Sequence, residues 1–199
     1  ICFTIFLLGM WLRVDTYNNR HPDKDELFEL RNLQDKKMSS ILNNKAFYGD
    51  HTSFPGEYLA YYLPLKMMGL FEKPVGIDVD RMVVERLSKG HFWALAIPKV
   101  IFCVLSFWLL WLCCKTLGVS GAGTILAFLI YSFNLHLVYH AFEMRPYSVL
   151  PFLALLNLFL ASKDMKSRWG EVLHGVVVFL TCIYHAYGPL IAFLPIIFF

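Results

Sequence analysis

"FWALAIPKVIFCVLSFWLLWLCC", Phe92 to Cys114, holds one charged side chain, Lys99, in 23 residues. At about 1.5 Å per residue, a helix of that length crosses a bilayer core of about 30 Å. The stretch therefore decides whether water or lipid is the solvent of this fold. The remaining composition agrees with lipid. Hydrophobic residues make up 57% of the 199 and charged residues 17%, where soluble domains carry about 25% charge. The charge is also segregated: 12 of 18 Lys and Arg, and 12 of 15 acids, fall between Arg13 and Lys89. A soluble domain spreads its charge over its whole surface, whereas a membrane protein confines it to loops. The expectation is an all-α polytopic membrane protein.

Working outward, "ICFTIFLLGMWL" at residues 1–12 has no A-x-A-like cleavage site after it and reads as the end of a first transmembrane helix. Both ends of the chain look cut, so a fragment of a longer protein is expected, its N-terminal part. Residues 13–91 form a long polar loop, and apolar segments follow at 92–114, 122–139, 146–161 and 172–199. The last is too long for one upright span and too short for two, with Pro189 and Pro195 as points of division. Two short loops give the orientation. "KTLGVSG" carries Lys115 and no acid, and "SKDMKSRWGE" carries Lys163, Lys166 and Arg168 against Asp164 and Glu171. The positive-inside rule makes both cytoplasmic and puts loop 13–91 and "HAFEMRPY" on the other face. Within the long loop, Asp23 and Glu26 have capping-box spacing ahead of "LFELRNLQDKKMSSIL", and "GEYLAYYLPLKMMGLF" suits a lipid interface. Two interfacial helices are expected there.

Several chemistries find no support. The five cysteines lie in apolar segments without paired zinc spacing, there is no H-E-x-x-H, no G-x-S-x-G and no P-loop, and a net charge of +3 makes no case for nucleic acid. No cofactor is required by these residues, and the sequence indicates no divalent cation.

The residues that remain are few. "HPDKDELFEL", His21 to Leu30, gathers Asp23, Asp25, Glu26 and Glu29 where the chain leaves the first helix. Acids in a helix's first turn are favoured by the macrodipole by roughly 0.3–1 kcal/mol, and that alone accounts for them. Equally, a carboxylate held at the membrane surface serves as a general base. Glu143 and Arg145 sit between two spans on the same outer face; Arg145 either snorkels or grips a phosphate with its fork of donors. Lys99 is close enough to the outer end of its span to reach the interface. Asn134, His136, Asn157, His174 and His185 each fit an interhelical hydrogen bond, with His185 in "YHAYG" the one to watch.

Taken in order, "DELFELRNL", "HTSFPGEYLAYYLPLKMMGLF", "HAFEMRPYSVLPFLALLNLFLA" and "IYHAYGPLIAFL" resemble the GT-C glycosyltransferases of the protein O-mannosyltransferase-like superfamily, which includes the lipid A aminoarabinose and galacturonic acid transferases. The likeness covers nearly the whole chain and rests on order and spacing rather than on one motif. Two departures are visible: "HTSFPGEY" stands where the family often has His-Pro-Pro, and Ile97 where an Arg is common.

The resemblance implies a GT-C-type transmembrane domain and sugar transfer, with inversion, from a polyprenyl-phosphate donor to an acceptor hydroxyl on a glycan, lipid or protein. It implies Asp25 as base with Glu26 orienting it or the acceptor, Arg145, Lys99 and Glu143 at the donor phosphate, and His51, Glu57, Tyr147 and His185 as further contacts. The compartment implied is a membrane, a bacterial inner membrane in preference to the endoplasmic reticulum, with the site on the non-cytoplasmic face. Two other readings stay open: a transporter, and a non-catalytic homologue that presents lipid. The topology predicts that a cysteine placed by Lys36→Cys reacts with an impermeant thiol reagent in intact cells, on a cysteine-free background. Labelling of Lys166→Cys instead, with Lys36→Cys protected, would reverse the orientation.

Overall fold

The computed structural model describes residues 1–20, 26, 62, 66–67, 77–78, 83–84, 89–143, 146–163, 168–184 and 188–198. The expected interfacial helices of the long loop fall mainly outside these residues. The described chain is helical apart from one two-residue antiparallel pair, β1 (Ile77–Asp78) with β2 (Val83–Val84), in which Ile77 faces Val84. Helix α1 covers Cys2–Asn19, α2 Lys89–Thr116, α3 Gly121–Phe133, α4 Leu135–Tyr139, α5 Val149–Ser162, α6 Arg168–Tyr184 and α7 Gly188–Phe198, with a 3-10 turn at Pro146–Ser148.

Helix α2 is the central element. Its stretch Ala96–Thr116 is, among the described residues, the one helix long and apolar enough to cross a membrane. Its most extensive packing is on α5, while α1 packs on α3 and α4, and α6 and α7 close around α5. Phe107 joins Ile5 and Phe128 in one buried cluster, Ala96 and Cys103 join Ala141 and Phe142 in a second, and Phe102 leans on a third around Leu150, Leu153 and Tyr184. The C-terminus of α2 is a Schellman stop: Val119 N–H reaches the Cys114 carbonyl at 2.9 Å, Gly118 N–H reaches that of Lys115 at 3.3 Å, and Gly118 takes the left-handed φ of 66°. Ser120 then caps α3 by accepting from Gly123 N–H.

The outward faces are apolar. Ile97, Ile101, Val104, Trp108 and Trp111 recur every three or four residues along α2, and all are exposed. Phe3, Leu7 and Trp11 do the same on α1. In a water-soluble helix such a stripe faces the core; here it faces out.

Two boundaries expected from the sequence are corrected, and the open division of 172–199 is given. The first helix does not stop at residue 12 but runs to Asn19, and Arg13, expected to open the polar loop, is buried within it at 1% exposure. The segment 122–139 is not continuous, since α3 ends at Phe133 and α4 starts at Leu135. The segment 172–199 is two helices, with Pro189 in the first turn of α7, where its missing N–H costs little. Lys99 is fully buried, near Cys103, ten residues after α2 begins at Lys89.

Arg13 explains the break at Asn134. Its guanidinium donates to the carbonyls of Gly9 at 2.9 Å, Ser132 at 3.1 Å and Tyr131 at 2.8 Å. In a continuous helix the last two would accept from residues 135 and 136. Arg13 takes their place as a cation at the negative end of α3, and the rings of Phe107 and Tyr131 flank it at 5.4 Å each. Close contact makes this reach possible, since a Cβ on Gly9 would stand 2.8 Å from the Ser132 Cβ. Asn134 opens α4 by accepting from Leu137 N–H at 3.0 Å. Arg13→Met leaves two buried carbonyls without their donor and is expected to lower stability by at least ~2 kcal/mol, read as the shift of the unfolding midpoint in matched detergent. Arg13→Lys should recover only part of the loss, because one ammonium cannot reproduce the planar fork.

Candidate functional site

The site forms where α1 ends. Its last turn presents Tyr17 and Asn18, and Trp93 on α2 donates its Nε1–H to the Asn18 side-chain oxygen at 3.0 Å. Tyr17, Trp93 and Phe142 pack ring against ring, with centroids 4.9 to 5.9 Å apart, as an apolar floor. Arg20, the residue that ends α1, lies with its guanidinium 5.0 Å from the centre of the Tyr17 ring.

Arg20 gathers the acids. Its Nη1 and Nη2 donate to the two oxygens of Glu26 at 2.6 and 2.9 Å, a bidentate pair. The same Nη1 is 3.5 Å from Glu143 Oε1, and Glu143 Oε2 lies 2.6 Å from His140 Nδ1. Glu26, Arg20, Glu143 and His140 thus form a chain from the end of α1 to the turn after α4. The two carboxylates and the guanidinium are nearly buried, and the imidazole is 24% exposed. Burial pushes the Glu143 carboxyl above its ordinary value, and repulsion from Glu26 adds to this, while His140 and Arg20 pull it back. Burial works against the Arg20 charge, but its bonds to Glu26 outweigh that and leave its pKa raised.

Glu26 and Glu143, 117 residues apart in the chain, therefore share one cation. Tyr147 is brought to the same corner, its ring 4.8 Å from that of His140 and 5.4 Å from that of His136. Lys99 is fully buried on α2, close to Cys103. Asp25, His51, Glu57, Arg145 and His185 lie outside the described residues, as does Asp23 of the expected capping box. Both Glu26 oxygens accept from Arg20, so Glu26 acts as an ion-pair partner, whatever it adds to a cap.

Reading the sequence missed Arg20 and His140. The signals were present: Arg20 stands six residues before Glu26, and His140 precedes Glu143 by three, the spacing of one helical turn. Among the described residues, no group of three or more His, Cys, Asp or Glu gathers as metal ligands. Chemically, the arrangement holds one carboxylate against a fixed guanidinium and offers a second, of raised proton affinity, to an imidazole.

Compared with known proteins, the chain matches no family model, no curated protein and no solved structure.

The raised Glu143 carboxyl carries a sign. The folded chain holds that proton more tightly than the unfolded one, so this contribution to stability is present below the ordinary value of 4.5 and lost as pH rises through the raised one. Glu143→Gln, which keeps the shape without the charge, should gain stability relative to the wild type as pH rises from 4.5 through the raised value. Thermal unfolding of both proteins across that range reads the difference; a constant difference would remove Glu143 as the titrating group.

Proposed function

We propose that this protein is a membrane glycosyltransferase that moves a sugar from a polyprenyl-phosphate carrier to an acceptor hydroxyl, with inversion, on the non-cytoplasmic face. The observation that carries the reading is the meeting of Glu26 and Glu143 on Arg20. Asp25 precedes Glu26 in the chain and Arg145 follows Glu143 by two residues, which supports reading the acid-bearing segment and the E-x-R-P-Y turn as parts of one site. The outward apolar stripes of α1 and α2 support lipid as the surrounding solvent, and so support the polytopic GT-C-type arrangement.

In this reading the acceptor oxygen attacks the anomeric carbon while the Asp25 carboxylate takes its proton. The bond from that carbon to the phosphate oxygen breaks, and the lipid phosphate leaves with the electron pair. Its charge is matched by Arg145, whose fork of donors suits phosphate better than a lysine does. Glu26, fixed by Arg20, holds the position of its neighbour. A phosphate is a weak base, so one carboxylate is enough for inversion, unlike the paired acids of a glycosidase.

A transporter would need polar groups in its interior that are available to a solute. Arg13 is instead engaged by the end of α3, and Asn157 bonds the Ala192 carbonyl at 2.7 Å and His174 at 2.6 Å. These engagements favour the enzyme.

Asp25→Asn tests the proposal. It should reduce sugar transfer by roughly 10²–10⁴ while the protein stays folded. Asp23→Asn is the control, because Asn still caps a helix. Transfer near the wild-type rate from folded Asp25→Asn would sink the assignment of the base.

A further inference from the structure

His136 and His140 stand one helical turn apart. The His140 N–H donates to the His136 carbonyl at 3.1 Å, the i to i+4 bond of an α-helix, so both imidazoles rise from one face of α4 and its cap. Their ring centroids are 4.4 Å apart, with the planes at 57°. Two imidazoles at this spacing are the chelating pair of helical zinc sites, because it lets two nitrogens meet one ion at about 2.0–2.1 Å each. The pair borders a cleft of about 540 Å³, lined by Asn134, Leu135, His136, Tyr139 and His140. His136 is exposed and His140 partly so, which gives an ion access to both.

Spacing alone does not distinguish such a pair from two neighbouring surface histidines. Glu143 does. Its Oε2 lies 2.6 Å from His140 Nδ1, and the carboxylate is nearly buried. An ionised carboxylate accepts from Nδ1–H, which fixes the tautomer, orients the ring and leaves the Nε2 lone pair for a metal. This is the outer contact that metal-ligating histidines almost always make. Arg20 stands behind Glu143, 3.5 Å from Oε1, and the Tyr147 ring lies 4.8 Å from that of His140 and 5.4 Å from that of His136. The ligand nitrogen is thus oriented by groups packed behind it.

We propose that His136 and His140 bind a divalent ion of the zinc type, with Glu143 as the positioning residue behind His140. Imidazole nitrogen suits Zn²⁺, Cu²⁺ and Ni²⁺, whereas Mg²⁺ and Ca²⁺ take oxygen ligands. Asn134 commits its side-chain oxygen to Leu137 N–H and is not counted as a ligand. Two protein ligands leave the other coordination positions to water or to a donor atom of a small molecule in the cleft, the open form that catalytic zinc sites share. The site requires only α4 and Glu143 and does not rest on the glycosyltransferase reading.

The test is calorimetric titration of the whole chain, free of any histidine tag, in detergent and a non-chelating buffer, with Zn²⁺ and with Mg²⁺. Zn²⁺ should bind, and Mg²⁺ should bind at least roughly tenfold more weakly. His136→Gln removes one ligand at an exposed position and should weaken Zn²⁺ by roughly tenfold or more, whereas His136→Cys, which supplies a thiolate, should keep the binding. Glu143→Gln leaves both ligands in place but replaces the carboxylate by a weaker acceptor, and should cost roughly tenfold. No Zn²⁺ binding by the wild type, equal binding of Mg²⁺, unchanged affinity in His136→Gln, or equal losses in His136→Gln and His136→Cys would each overturn the site. Unchanged affinity in Glu143→Gln would overturn the positioning role. No sugar transfer is measured, so this result and the Asp25 result fail independently.

Discussion

Arg13 is the contact on which the arrangement of this protein depends. A guanidinium enclosed to 1% exposure must find acceptors, and it finds them in the carbonyls of Gly9, Tyr131 and Ser132. Those bonds end α3 at Phe133 and turn the chain at Asn134. Were α3 to continue, the carbonyls would be used along the helix and Arg13 would be left buried with too few partners. The break is thus a property of two helices together, α1 supplying the cation and α3 the open carbonyls.

Arg20 repeats the device seven residues later, two turns along the same helix. Arg13 fixes the start of segment 134–143 and Arg20 fixes its end, by way of Glu143. Between the two anchors lie Asn134, His136, Tyr139 and His140, the polar lining of the cleft. One helix therefore positions both the acid–base corner and the pocket beside it. The floor of Tyr17, Trp93 and Phe142 adds an apolar base that keeps the Arg20 charges short of water and raises the cost of separating them.

Charge is arranged differently at the two anchors. Arg13 meets three carbonyls and two aromatic rings, with no carboxylate partner among the described residues. Arg20 meets two carboxylates, Glu26 and Glu143. Burial pushes the Glu143 carboxyl up, repulsion from Glu26 adds to this, and His140 Nδ1 lies 2.6 Å from its Oε2.

The sequence by itself determined the helical class, the long apolar stretch at 92–114 and the acids at 23–29 and 143 as places of interest. Those rest on local properties: length against bilayer thickness, hydropathy, and the spacing of charge. It also placed Gly118 and Ser120 in a short loop between two helices, where the Schellman stop and the cap now stand. Only the tertiary structure decided that Arg13 lies inside a helix rather than at its end, that 122–139 breaks at Asn134, and that Lys99 is enclosed. It alone paired Glu26 with Glu143 through Arg20 and gave His140 its role. The physical reason is that a long cationic side chain reads the same in a sequence whether it reaches water, a carboxylate or a helix end. Which of these it finds depends on the helix packed beside it, often more than 100 residues away.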